Sequence, residues 1–139
     1  MMIPESISAL VFHIKHKWLW TIGVELCVFI LMPLMTGYDD TYAGVAFLSC
    51  ASIGFVGVMP LFIRETNKAH NILAATGAVL SQLWCCLVGD WMVMLHWWVL
   101  YLLLLGLMWI CRCQRYWCLV AEGWCVLAIA YALFKVNNM

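Results

Sequence analysis

Five runs of about 20 apolar residues, parted by short polar breaks, decide what this chain can fold into. At ~1.5 Å rise per residue, a helix of that length crosses the ~30 Å hydrocarbon layer of a bilayer. The runs fall at 18–35, 42–63, 69–89, 91–111 and 116–134. Across 139 residues the chain is 67% hydrophobic and only 10% charged. Soluble domains carry about 25% charged residues, and a domain this short could not hide so much apolar surface. The expected fold is an all-α integral membrane protein. It has one transmembrane domain over 18–139, a bundle of five helices. Lysines precede the first run, as in a signal peptide, but no small-x-small cleavage pattern comes after Met35. That run is therefore expected to be a retained helix.

Residues 1–17 differ from the rest of the chain. Ile7, Leu10, Val11 and Ile14 repeat at i, i+3, i+4 and i+7, which lines one face of a helix. Pro4 suits a first helical turn, and His13, Lys15, His16 and Lys17 close the stretch. The pattern predicts an amphipathic helix lying in the membrane interface before the first span.

Basic residues orient the bundle, because cytoplasmic loops are enriched in Lys and Arg. Lys15 and Lys17 precede the first span. Arg64 and Lys68 lie in the polar hinge between the second and third, and Arg112 and Arg115 in the turn between the fourth and fifth. Only Lys135 falls on the opposite side, so six of the seven basic residues share one face. The N-terminus is expected in the cytoplasm and the C-terminus outside. Asp39, Asp40 and Asp90 then gather on the outer face.

Lipid supplies no hydrophobic force between helices, so small residues mark where backbones approach. The second span carries Ala46, Cys50, Gly54 and Gly57 on one stripe. The third carries Ala74, Ala78, Ser81 and Cys85, and the fifth Ala121, Cys125, Ala128 and Ala132. These three are expected at the centre. The fourth span is built mostly of Leu, Trp, Met and Val and is expected to face lipid. Trp84, Trp97, Trp98 and Trp124 lie deep in their spans, where helix packing or lipid contact is the expected role. No internal repeat divides the chain, which argues against an inverted-repeat transporter.

Ionisable residues inside a membrane are costly and mark candidate sites. Glu25 lies seven residues beyond Trp18, and Glu122 six residues beyond Tyr116. Both depths are roughly 10 Å from the cytoplasmic boundary, so the two carboxylates could meet. A shared proton or a bound cation would relieve their repulsion. The competing expectation is that each reaches an inner-face counter-charge: Lys17, Arg64, Lys68, Arg112 or Arg115. In the outer half, His96 shares a face with Val99, Leu103 and Gly106, and Gln82 lies at similar depth. They are expected either to extend an ion or proton path or to form interhelix hydrogen bonds. Asp39, Asp40, Asp90 and His96 offer donors suited to a divalent metal, without a recognised ligand spacing.

Eight cysteines occur, and none falls in an expected outer loop, so an extracellular disulfide framework is not expected. Cys111, Cys113 and Cys118 cluster at the cytoplasmic turn, without the fourth ligand of a zinc knuckle. They are expected as packing residues, or as S-acylation targets in a eukaryotic cell. His13 and His16 are expected as an interfacial pair. No nucleophile elbow, zinc-protease motif, phosphate loop or basic run appears, so neither nucleic acid nor a cofactor is expected.

Gly54-Phe55-Val56-Gly57-Val58-Met59-Pro60, leading to His70-Asn71-Ile72-Leu73-Ala74-Ala75, resembles a pattern in small polytopic membrane proteins of the DRAM/Sfk1-like group. There a Gly-rich helix ends near a Pro, and a His followed by small residues opens the next. The resemblance covers about 20 residues of the chain. It implies a lipid- or membrane-trafficking setting and marks Pro60 and His70 as structural positions.

The expected function is a membrane module that conducts or binds an ion, proton or lipid. It would work as a homo-oligomer, since one copy has few polar helix faces. A non-catalytic accessory or assembly subunit, docking on partner helices, is the alternative, and a membrane-embedded enzyme ranks third. The lipid bilayer is the expected environment, in a bacterial inner membrane or another cellular membrane.

Overall fold

The computed structural model describes Ile7, residues 14–62 and residues 68–138. Among them are five α-helices: α1 (Lys17–Thr36), α2 (Ala43–Phe62), α3 (Lys68–Val88), α4 (Trp91–Ile110) and α5 (Trp117–Asn137). A short 3-10 turn, Gln114–Tyr116, precedes α5. All five are long and apolar enough to cross a membrane. The expected spans match closely. The main difference is α5, which runs on to Asn137 and takes Lys135 into its last turn. The expected interfacial helix lies outside the described residues except at Ile7 and residues 14–17, of which 14–16 are not helical. Hinge residues 63–67, including Arg64, also lie outside them.

The connections are local. Asp90 is the N-cap of α4, its carboxylate accepting the Met92 N–H at 3.0 Å. This satisfies one of the donors that a helix start leaves open. The six-residue link between α1 and α2 is turned by Asp39, whose Oδ1 accepts the Thr41 N–H at 2.8 Å. After α4, the Arg112 N–H donates to the Trp109 carbonyl at 3.2 Å and the Cys113 N–H to Met108 at 2.8 Å. This pair of bonds is a Schellman motif, and it needs a left-handed residue at Arg112, whose φ is 55°. Glycine normally fills that position.

Packing divides the bundle into two groups. α1 and α3 both pack extensively on α2, which lies between them. α3 also contacts α5 and α4, which pack on each other. At the α1–α2 seam, Thr21 donates its hydroxyl to the Gly57 carbonyl at 2.8 Å. At the α2–α3 seam, Ser49 does the same to Gly77 at 2.8 Å. Both glycines are required by close approach. A Cβ on Gly57 would sit 2.6 Å from Val24 Cγ1, and one on Gly77 2.5 Å from Ile53 Cδ1.

All five helices meet in one core of Met35, Ala46, Cys50, Trp84, Cys85, Met94, Ala128 and Ala132. It lies toward the end where the short α1–α2 and α3–α4 connections draw the helices together. Trp84 is wholly buried there. The small-residue stripes largely face inward as expected: Ala46, Cys50, Gly57, Ser81, Cys85, Ala128 and Ala132 are buried. α4 is peripheral, with only Met94 and Tyr101 buried. α1 is equally peripheral, burying only Thr21 and Met35.

Two outcomes test this packing. Gly57→Ala should destabilise the protein by about 1–3 kcal/mol, the usual cost of overpacking. Gly23→Ala, where a Cβ meets nothing within 4 Å, should not. Thermal unfolding in detergent reads both. Arg112→Gly should raise stability by about 1 kcal/mol by removing the left-handed strain, measured in the same assay.

Candidate functional site

Glu25 is set by the α1–α2 seam. Thr21 and Glu25 are one turn apart on the same face of α1. Thr21's bond to Gly57 turns that face onto α2. Glu25 then meets two glycines. A Cβ on Gly57 would stand 2.9 Å from Oε1, and one on Gly54 3.5 Å from Oε2. The missing side chain of Gly57 makes the space the carboxyl occupies, and a Cβ on Gly54 would lie in ordinary contact with it. Oε1 is buried and has no hydrogen-bond partner. Beside it runs an open apolar groove lined by Ile22, Leu26, Val28, Phe29 and Met32. No basic side chain pairs with Glu25 among the described residues, so the expected counter-charge from Lys17, Lys68, Arg112 or Arg115 is not formed there.

Glu122 serves a different surface. Its Oε2 accepts the backbone N–H of Ile7, which ties Ile7 to α5. No hydrogen bond or ion pair joins it to Glu25. α1 packs along α2, and α5 along α3 and α4. Equal depth is thus not proximity, because the two helices present these residues to different neighbours.

Gln82 and His96 also separate. Gln82 is an interhelix link: its Nε2 donates to the Cys125 carbonyl of α5 at 3.3 Å and to Ser81 Oγ at 3.3 Å. Its Oε1 is buried without a partner. His96 is exposed and hydrogen-bonded within its own helix, to the Met92 carbonyl at 2.7 Å. Val99, Leu103 and Gly106 are exposed with it. The interhelix bond expected of His96 is therefore replaced by an intrahelical one. α4 turns Trp97 and Trp98 inward instead, while Trp91 and Trp109 stay exposed. Trp97 and Trp124 stack at 4.3 Å between ring centroids, and each indole N–H donates to the other residue's carbonyl, at 3.3 and 3.0 Å. Tyr101 donates to the Trp117 carbonyl at 3.2 Å.

The acidic residues at that end are used locally. Asp39 caps its turn, and Asp40 is exposed. Asp90 caps α4 and stands 4.0 Å from the Lys135 amine. Among the described residues, no three His, Cys, Asp or Glu side chains gather as a metal site. All eight cysteines are free thiols, with Cys111 and Cys113 exposed at the turn and Cys118 half-buried. Pro60 and His70, the two positions marked by the family resemblance, are both buried, near the end of α2 and the start of α3.

Three residues that place Glu25 escape a residue-by-residue reading. Thr21 reads as an ordinary helical threonine, and Gly54 and Gly57 read as packing glycines. Thr21-x3-Glu25 on one helix and Gly54-x2-Gly57 on the next was the available signal. Its meaning depends on helix rotation, which only packing sets.

Comparison with protein-family models, curated proteins and solved structures found no match to this chain.

Thr21→Val should remove the hydroxyl bond to Gly57 and cost about 0.6–1.7 kcal/mol, the range for hydrogen bonds between helices in membranes. A loss within that range, with Glu25→Gln in the same background adding no further loss, would show that Thr21 positions the seam and that the carboxyl does not hold it.

Proposed function

We propose that this chain is a non-enzymatic membrane module that binds and passes an ion or proton at Glu25, working as a homo-oligomer. Its basic connections and N-terminus would face the cytoplasm and its C-terminus the outside. The observation that carries this reading is the buried, unpartnered Oε1 of Glu25 beside Gly54 and Gly57. A carboxylate so placed is costly inside a membrane unless a positive species accompanies it. Its position on the flank of α1 favours assembly. The groove beside it opens away from the bundle, so a path through one copy alone is not built.

A second reading is favoured by the outward face of α4. His96 and Gly106 lie there among exposed Val99 and Leu103, and nothing stands within 4 Å of a Cβ on Gly106. A polar residue and a glycine on one exposed face suit a partner helix. On this reading the chain is an accessory subunit of a membrane complex.

Proteoliposomes decide between them. Flux of protons or alkali cations should fall to background in Glu25→Gln and persist in His96→Ala. Unaltered flux in a normally folded Glu25→Gln protein would sink the conducting reading. A purified protein that is monomeric alone, and forms a stoichiometric complex lost in Gly106→Leu, would favour the accessory role.

A further inference from the structure

Glu25 needs a positive partner, and its surroundings limit which one. We propose that the species is a proton, carried by the Glu25 carboxyl itself and reached from the lipid-open flank of α1. This rests on Glu25 being the binding group of the function proposed above.

A hard metal cation takes six or more oxygen ligands, or keeps several of its waters. Among the described residues, the neighbours of Glu25 do not supply such a shell. The Thr21 hydroxyl and the Gly57 carbonyl it bonds would together add at most two oxygens to the two of the carboxylate, short of six. Gly54 and Gly57 bring no side chain. The rest of the surroundings, Ile22, Leu26, Val28, Phe29 and Met32, are hydrocarbon or thioether. A proton needs only one carboxyl oxygen. The carboxylate takes it on one oxygen and becomes neutral, and gives it up again as the charged form, with no other bond made or broken.

Other titratable groups do not take this role. Lys17 lies on the same face of α1, two turns away at about 12 Å along the axis, and is not paired with Glu25. Cys27 is exposed. On α2 the one titratable group is Cys50, whose thiol meets the Met35 sulfur at 3.9 Å. Where α2 meets the carboxyl at Gly54 and Gly57, it offers no titratable side chain. Glu122 is a built-in comparison, because its Oε2 already accepts the Ile7 amide.

A lipid-soluble carbodiimide tests the proposal on the full chain in liposomes. The reagent adds only to a protonated carboxyl: the acid proton goes to a carbodiimide nitrogen, and the carboxyl oxygen bonds to its central carbon. Peptide mass spectrometry should find the adduct on Glu25 in preference to Glu122, with complete loss of that adduct in Glu25→Gln. Labelling should slow as pH rises and be unaffected by sodium, potassium or calcium at fixed pH. The key reading is on the wild-type protein, so it does not depend on a variant folding. Protection of Glu25 by any of those metals would overturn the proton assignment while leaving ion binding at Glu25 intact. Absence of the adduct at Glu25 across acidic and neutral pH would overturn it as well. If Glu25 labels as expected but flux survives Glu25→Gln, the proton site stands and conduction through it fails.

Discussion

Much of this bundle depends on how closely α2 can be approached from both sides. Two small hydroxyl side chains do the same work at its two seams: Thr21 reaches the Gly57 carbonyl and Ser49 the Gly77 carbonyl, each at 2.8 Å. In a bilayer, helices gain little by leaving lipid for one another, so backbone contact and interhelix hydrogen bonds replace the hydrophobic force. Both bonds need a glycine at the acceptor, because a Cβ there would collide with Val24 or Ile53. The hydroxyl sets helix rotation, and the glycine permits the distance.

The other half of the bundle is held differently. α4 has one glycine, Gly106, and turns it outward. It packs on α5 through large aromatic surfaces, the stacked Trp97 and Trp124 and the Tyr101 hydroxyl on the Trp117 carbonyl. Aromatic side chains combine a large contact area with a polar group that can find a partner. Indoles therefore stand in for small residues where the helices stay further apart. Trp84 joins the two halves at the end where the connections are short.

These two packing modes explain why the intramembrane polar residues have unlike surroundings. Glu25 faces glycines and is left with a buried oxygen that nothing satisfies. Glu122 holds the Ile7 amide, Gln82 ties α3 to α5, and His96 folds back on its own helix. Among these four, only Glu25 combines depth, a buried unpartnered charge-bearing atom and an open approach. That combination is why ion or proton binding is proposed there.

The number of helices, their limits and the inward direction of the small-residue stripes were legible in the chain itself. They come from hydropathy over a membrane thickness and from the need of small residues for close backbone contact, both of which act locally along a helix. Whether the two carboxylates meet was not legible. Glu25 and Glu122 are expected at one depth, yet α1 docks on α2 and α5 on α3 and α4. The same holds for the surroundings of His96, since nothing in α4's composition shows that Trp97 and Trp98 would take the inner face. Sequence determined which segments are long and apolar enough to cross a membrane. Tertiary structure decided which side chains face each other, because helix rotation and neighbour choice come from contacts between distant segments, which no single helix encodes.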